Sequence, residues 1–345
     1  MGKSISLLRR QFVLYRGLFK TSPNLTENEI YEYFSKQRRG NDEATVHFPK
    51  EKRIASNRLI ISKDILAEGQ FGVVYRGTLD GNSVAVKTIK SNADVEYFRA
   101  FMTEIKVTHF IGDHPNIVTF HGAVLEAIQQ RVCHAAFELS PIEVGSSQGI
   151  TIGNGIGSDS KMGLTQSVLI SFCKQIATAM AYIAQKRVVY RDLSARSILV
   201  FHNNVIKITD FGMSRKLYDC RSYVQHNHFP MPWRWMAPES LRYLEFSSQS
   251  DVWNFGVTLW EIFSFAQLPF SDLTWSSDFA DEIEAGLRLS KPYHALPEVF
   301  DWMMRCWEYA PEKRPNFLDC QAFFTNIQLR VHLEDNIYGA FKSQS

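Results

Sequence analysis

Apolar and polar residues fall into regular order only after the first 57 positions. Residues 21–57 are polar and charge-rich, broken by Pro23, Gly40 and Pro49. They support one short helix over Thr26–Lys36, which Thr26 would cap with Glu29 three residues on. From Arg58 the chain reads strand, glycine turn, strand: Leu59 to Glu68, then Gly69 and Gly72, then Val73 to Gly77. Val84-Ala85-Val86-Lys87 is a further apolar strand, and strand alternation turns Val84 and Val86 away from the face that carries Lys87. Phe98 to Val107 has a helical period that includes Glu104, and His114-Pro115-Asn116-Ile117-Val118 leads out of it into another strand. Glu143 to Gly163 is rich in Gly and Ser without a helical period, so an irregular rim is expected there. Leu164 to Gln185 restores a long apolar-periodic helix.

Composition narrows the classes. At 345 residues the chain can bury a sizeable core in one or two compact units. A net charge of +2 argues against a bulk nucleic-acid role. Cys133, Cys173, Cys220, Cys306 and Cys320 are scattered without C-x-x-C spacing, which favours reduced cytosolic thiols over a disulfide framework or a zinc site. No run of about 18 apolar residues occurs, so no membrane span is expected; Val168–Ala184 comes nearest, but Lys174 and Gln175 interrupt it. No secretory leader is expected either, because Arg9, Arg10 and Arg16 break the early apolar residues. Met1-Gly2-Lys3-Ser4-Ile5-Ser6 fits the N-myristoylation pattern with Gly2 as acceptor, although so short a pattern also recurs by chance. A single acyl chain binds membrane marginally, and Arg9, Arg16 and Lys20 on one helical face would add the basic second signal for peripheral membrane contact.

The chemistry concentrates between Val189 and Gly212. The chain there reads Val189-Tyr190-Arg191-Asp192-Leu193-Ser194-Ala195-Arg196-Ser197-Ile198-Leu199-Val200, a polar turn, then Val205-Ile206-Lys207-Ile208-Thr209-Asp210-Phe211-Gly212. A carboxylate on a polar loop can orient or deprotonate an incoming hydroxyl, and a second one after an apolar strand can hold magnesium. Lys87, turned inward, needs an anion, which Glu104 or a nucleotide phosphate supplies; the plainer alternative is a surface Lys on an edge strand. This ordered set resembles the protein kinase superfamily.

The resemblance covers roughly residues 58–328 and implies an α+β fold of two lobes. A small antiparallel β-sheet with one key helix (58–137) would be followed by a hinge (138–140) and a mainly helical lobe (141–328), with ATP in the cleft. Residues 1–57 would form a basic, partly disordered segment, and 329–345 a polar tail. Asp192 would position the substrate hydroxyl, Asp210 would hold Mg2+ or Mn2+, and Lys87, fixed by Glu104, would hold the nucleotide. Ala67, Gly69, Gly72 and Val74 occupy the places of the phosphate-covering loop, where small residues let backbone N–H groups approach. Ala85 and Leu199 join the nucleotide pocket, Phe137 closes its back, and the backbone near Glu138 and Leu139 would bond the base. Four positions depart from the family's pattern: Ala67 for a first glycine, Thr108 for a bulky apolar brace on the helix, Tyr190 for histidine, and Ser197 for the asparagine that ligates a second metal.

Arg196, four residues after Asp192, with Ser194 where serine/threonine kinases place Lys, resembles the tyrosine-directed group of the cytoplasmic, non-receptor type. So does Pro232-Trp233-Arg234-Trp235-Met236-Ala237-Pro238-Glu239, where Pro232 and Trp235 would give a tyrosine ring an apolar shelf. Arg191 would brace the activation segment, and phosphate on Tyr223 would meet Arg191 or Arg215; Tyr218 reads rather as a solvated loop residue. Asp251-Val252-Trp253-Asn254-Phe255-Gly256, Cys306-Trp307 and Arg314-Pro315-Asn316-Phe317 would form core helices, with Arg314 paired to Glu239. Glu29-Ile30-Tyr31-Glu32-Tyr33-Phe34 and Asp335-Asn336-Ile337-Tyr338-Gly339-Ala340-Phe341 share an Ile-Tyr-x-x-Phe format. Tyr338 and Tyr31 are therefore expected phosphosites that dock phosphotyrosine-binding signalling proteins, unless Tyr31 only lines an amphipathic helix. The activity implied is ATP-dependent phosphorylation of tyrosine-containing protein substrates in cytoplasmic signalling. The alternative is a pseudokinase scaffold silenced at Ser197.

Overall fold

Strands form where the alternation begins, and they assemble into one lobe. The computed structural model describes residues 50–68, 72–90, 93, 95–128, 132–140, 165–216, 222–224, 232–276 and 278–342. Gly2, Tyr31, Gly69, Tyr218, Cys220, the proposed Thr26–Lys36 helix and the Gly/Ser-rich rim lie outside the described residues, and of Tyr223 and Tyr338 only the backbone is described. The first lobe is an antiparallel sheet of β1 (Leu59–Glu68), β2 (Gly72–Leu79), β3 (Asn82–Ile89), β4 (Phe120–Val124) and β5 (His134–Glu138), in the order β1-β2-β3-β5-β4. Its one long helix, α1 (Val95–Ile111), packs Phe98, Phe101, Met102 and Ile105 against Val118, Phe120, Ala135 and Phe137. Val84 and Val86 enter a second small cluster on the other face, with Leu59, Val124 and Ala136, as alternation requires.

The lobe starts earlier than the sequence indicated. Arg53 bridges Ala123 in parallel, Ile54 N–H donates to Ala123 O at 2.9 Å, and Ile54 is buried with Val84 and Val86. This strap covers the outer edge of β4, whose unpaired groups would otherwise invite foreign strands. Gly122 lets it approach: a Cβ there would sit 2.5 Å from Lys52 O. Residues 50–57 therefore belong to the sheet lobe, which corrects the boundary expected at Arg58.

The second lobe is built on α2 (Gln166–Gln185) and α4 (Ser248–Phe263), with α3 (Pro238–Tyr243), α5 (Phe279–Glu284), α6 (Pro297–Cys306) and α7 (Phe317–Lys342) around them. Thr165 caps α2 by accepting from Val168 N–H, and Ser247 with Ser250 forms a capping box at α4. By length and hydropathy α2 could cross a membrane, which corrects the expectation that no such segment exists. Ten of its residues are buried in the lobe's main core, so it is a core helix here. Every residue of α4 from Ser250 to Phe263 is buried, including Trp253 and Phe255. At Gly256 a Cβ would lie 2.6 Å from Trp307 Nε1, so glycine is what lets the α6 end pack there. The expected polar tail is a second correction: α7 continues as helix to Lys342 and runs along α2.

Short strands β6 (Val188–Val189), β7 (Ile198–Phe201), β8 (Val205–Ile208) and β9 (Arg215–Lys216) flank the cleft, and β10 (Ser222–Val224) pairs with β11 (Glu245–Ser247). Ile208 ties the lobes together, accepting from Val118 N–H and donating to Asn116 O, each at 2.9 Å.

Candidate active site

β3 aims Lys87 into the cleft from a register that sets it opposite Val74 on β2 and Ala135 on β5. Its Nζ donates to both Glu104 oxygens, at 2.9 and 2.8 Å, and to Asp210 Oδ1 at 3.1 Å. Burial by itself would lower the Lys87 pKa; the carboxylates of Asp210 and Glu104 outweigh it and hold the ammonium charged. Lys87 in turn lowers the Asp210 pKa. The strand lysine, the helix glutamate and the loop aspartate that the kinase resemblance implied thus meet at one point. Asp210 is held at φ 62°, in the left-handed region that Asp tolerates better than most residues.

Asp192 lies on the loop after β6, ion-paired to Arg196, with 17% of its side chain exposed. Burial, opposed by Arg196 and reinforced by Asp210, raises its pKa to about 6. That value suits a group that takes up a proton near neutrality. The loop is fixed by two carboxylates, Asp251, expected only as part of a core helix, and Glu261, which the sequence did not single out. Asp251 Oδ2 accepts from Tyr190 N–H at 2.7 Å and Oδ1 from Arg191 N–H at 2.8 Å, and burial raises its pKa to about 7. Glu261 Oε2 accepts from Ala195 N–H at 2.9 Å and from Trp235 Nε1 at 2.8 Å. Both carboxylates come from α4, and a charge inside an otherwise apolar helix was the available signal.

Ser197 is 3% exposed; its hydroxyl donates to Asp192 O at 2.8 Å and lies 3.3 Å from Ser194 Oγ. Tyr190, standing where histidine was expected, sets its ring edge-on to Phe211 at 5.1 Å and donates its hydroxyl proton to Thr209 O. Thr108 is buried, and its hydroxyl donates to Glu104 O at 2.8 Å within α1.

At the lobe junction Phe137 is buried against Phe120, with centroids 5.4 Å apart. Glu138 N–H is used by Thr119 O at 2.9 Å and its carboxylate by Lys207 at 2.6 Å. Glu138 can therefore present only its carbonyl to a ligand, and a donor must come from Leu139 or Ser140. Ala85 lies opposite Phe137 in the β3–β5 register, and Leu199 on β7 lies opposite Lys207 on β8. Ala67 and Val74 are paired directly at the turn end of the β1–β2 hairpin, with Gly72 starting β2.

Beyond Asp192, the Arg196 guanidinium lies 4.8 Å from the Trp235 ring centroid. Arg314 pairs with Glu239 at 2.6 and 2.8 Å, as expected. Arg191 donates to Met213 O at 3.1 Å and stacks on Phe246, which lies opposite Tyr223 in the β10–β11 pairing.

The family model for protein tyrosine and serine/threonine kinases matches residues 60–324. The chain belongs to the protein kinase family. This kinase domain is 38% identical over 285 residues to human tyrosine-protein kinase Fer, an alignment covering 82% of this chain and 33% of that protein. It is 31% identical over 328 residues to rat vascular endothelial growth factor receptor 1 (77% of this chain, 24% of the receptor). The Bombyx mori tyrosine-protein kinase receptor torso is 32% identical over 300 residues (76% and 37%). The chain thus spans about a third of the length of the curated tyrosine-protein kinases Fer that it matches. Among the described residues no group of three or more His, Cys, Asp or Glu could hold a metal. The donors still fit the divalent metal that protein kinases generally use. Asp210 offers a hard carboxylate with 52% of its side chain exposed, and Mg2+ commonly takes one or two carboxylates with phosphate and water oxygens completing its shell.

Proposed function

We propose that this chain is an ATP-dependent protein tyrosine kinase of the cytoplasmic, non-receptor type. The observation that carries the reading is Lys87 Nζ held between Glu104 and Asp210, with Asp192 ion-paired to Arg196 on the loop after β6. In this reading Lys87 binds and orients the nucleotide phosphates, and Asp192 holds the acceptor hydroxyl and takes its proton. Arg196, over Trp235, keeps Asp192 aimed at the shelf where the tyrosine ring rests. Ala67, Gly69, Gly72 and Val74 cover the phosphates, Ala85 and Leu199 flank the adenine, and the Glu138 carbonyl with Leu139 meets its edge. Asp210 holds Mg2+ or Mn2+, which when bound supplies charge neutralisation at the phosphates. Ser197, its proton spent on Asp192 O, keeps only lone pairs and reaches a second cation through water.

The remaining assignments rest on sequence. Acylated Gly2 with Arg9, Arg16 and Lys20 brings the domain to the inner face of the plasma membrane. Phosphate on Tyr223 orders the activation segment, and phosphate on Tyr338 and Tyr31 recruits phosphotyrosine-binding proteins.

Phosphate transfer from ATP to an acidic tyrosine peptide tests the proposal, with wild type, Asp192→Asn and Ser197→Asn compared in magnesium and in manganese. Transfer by wild type that vanishes in Asp192→Asn, with Ser197→Asn gaining rate in magnesium relative to manganese, is the expected result. A folded wild type that transfers nothing, or transfer that survives Asp192→Asn, overturns it.

A further inference from the structure

The helix α7 carries two apolar faces, and the fold uses one of them. Phe317, Cys320, Phe324, Ile327 and Val331 recur at spacings of three and four and enter the main core of the helical lobe. On the far side Leu318, Leu329 and Leu333 are 54%, 60% and 63% exposed, with Ala322 and Asn326 exposed between them. At α-helical pitch, Leu318, Ala322, Leu329 and Leu333 fall within an arc of about 60° opposite the buried row, a seam about 23 Å long. Single exposed leucines are ordinary, but three in line on a helix already anchored by its other face make a helix-pairing surface. The kinase family model matches up to residue 324, so the second half of the seam lies beyond it.

Charge selects the occupant. Asp319 and Arg330 lie on one flank of the seam, about three turns apart. The Arg330 guanidinium pairs with Glu298 of α6, and its side chain is 53% exposed, which leaves donors for a second carboxylate. Asp319 Oδ2 accepts from Asn316 N–H at 2.9 Å, which leaves lone pairs for a cation. Consider a second α7 running antiparallel, with the two-fold axis between Phe324 and Thr325. Asp319 of each helix then lies level with Arg330 of the other, and Leu318 seats between Leu329 and Leu333 across the seam. Parallel pairing would instead set Asp319 level with Asp319 and Arg330 with Arg330. The first twenty residues, the chain's other amphipathic candidate, contain no acid to meet Arg330.

We propose that the outer face of α7 is a self-association surface. Two copies of this chain pair antiparallel through Leu318, Leu329 and Leu333, with Asp319 of each facing Arg330 of the other.

Three leucines a side make a small interface, so the dimer should be weak and form at about 100 μM protein. Sedimentation equilibrium of the full chain measures it. Leu329→Glu and Leu333→Glu should each weaken the dimer about 100-fold, since each change enters a two-fold interface twice. Both side chains are exposed, so Tm should stay within about 2 °C of wild type. A charge exchange then fixes the register. Asp319→Lys alone and Arg330→Glu alone set like charges level at both ends, and each should be monomeric at that concentration. An equimolar mixture of the two restores opposite charges at both ends and should dimerise as the wild type does. Local losses at Asn316 and Glu298 persist in the mixture, so its recovery reports only the contact between copies. A dimer that keeps its strength in Leu333→Glu, or a mixture that fails to pair, overturns the proposal. So does a wild type that stays monomeric; phosphatidylserine vesicle binding that Leu333→Glu abolishes would then give the face to a membrane.

Discussion

Replacing Asp251 by Asn changes one oxygen to an amide nitrogen and almost no volume, yet it should unseat the catalytic loop. The side chain is 1% exposed, and each carboxylate oxygen accepts one peptide N–H, from Tyr190 at 2.7 Å and from Arg191 at 2.8 Å. An asparagine can accept at its oxygen only, so one of the two N–H groups would face another donor with no water in reach. A buried donor left unpaired costs about 1–3 kcal/mol, with the upper part favoured because the lost bond is to a charged acceptor. At about 2–4 °C per kcal/mol for a domain of this size, Tm should fall by roughly 5–10 °C. Calorimetry at about pH 8 keeps the wild-type carboxylate ionised, above the value of about 7 to which burial raises it. Turnover should drop further than stability implies, since displacing Asp192 by about 1 Å can cost on the order of 100-fold. The KM for ATP should move little, because Lys87 and Glu104 are held by other elements. An Asp251→Asn protein that melts within about 1 °C of wild type and keeps its kcat would refute this account of the loop.

Two further outcomes follow from the same geometry. With the Asp192 pKa raised to about 6 by burial, the proton-accepting form is lost as pH falls. Then kcat/KM should decline by about tenfold per unit below that value and level off above it, and a profile flat from about pH 5 to 8 would exclude Asp192 as the base. Arg314, fully buried and paired with Glu239, also donates to Glu308 O, Tyr309 O and Gln249 O. Arg314→Met should cost about 3–5 kcal/mol by urea unfolding, with Arg314→Met/Glu239→Gln costing less than the sum of the single changes; strict additivity would mean that the pair is not coupled.

The sequence by itself determined where the reacting groups are and which way several of them face. Period-two alternation put Lys87 on the face opposite Val84 and Val86, because successive strand side chains point to opposite faces. The helical period around Glu104 and the apolar stretch before Asp210 placed those carboxylates on elements, and the family's spacing joined them across the cleft. What tertiary structure decided lies where local pattern carries no information. The helix Ser248–Phe263 is buried on all sides, so it has no polar face by which to read its orientation, and only packing shows that Asp251 and Glu261 point at the catalytic loop some 60 residues earlier in the chain. The strap at residues 50–57 looked like polar linker because one buried side chain, Ile54, and one backbone bond to Ala123 O dock it, and neither makes a pattern that composition reveals. Ser197 was visible as a departure from the family, but the direction of its hydroxyl proton was not. That direction depends on which acceptor the folded loop brings within reach, and the fold brings Asp192 O.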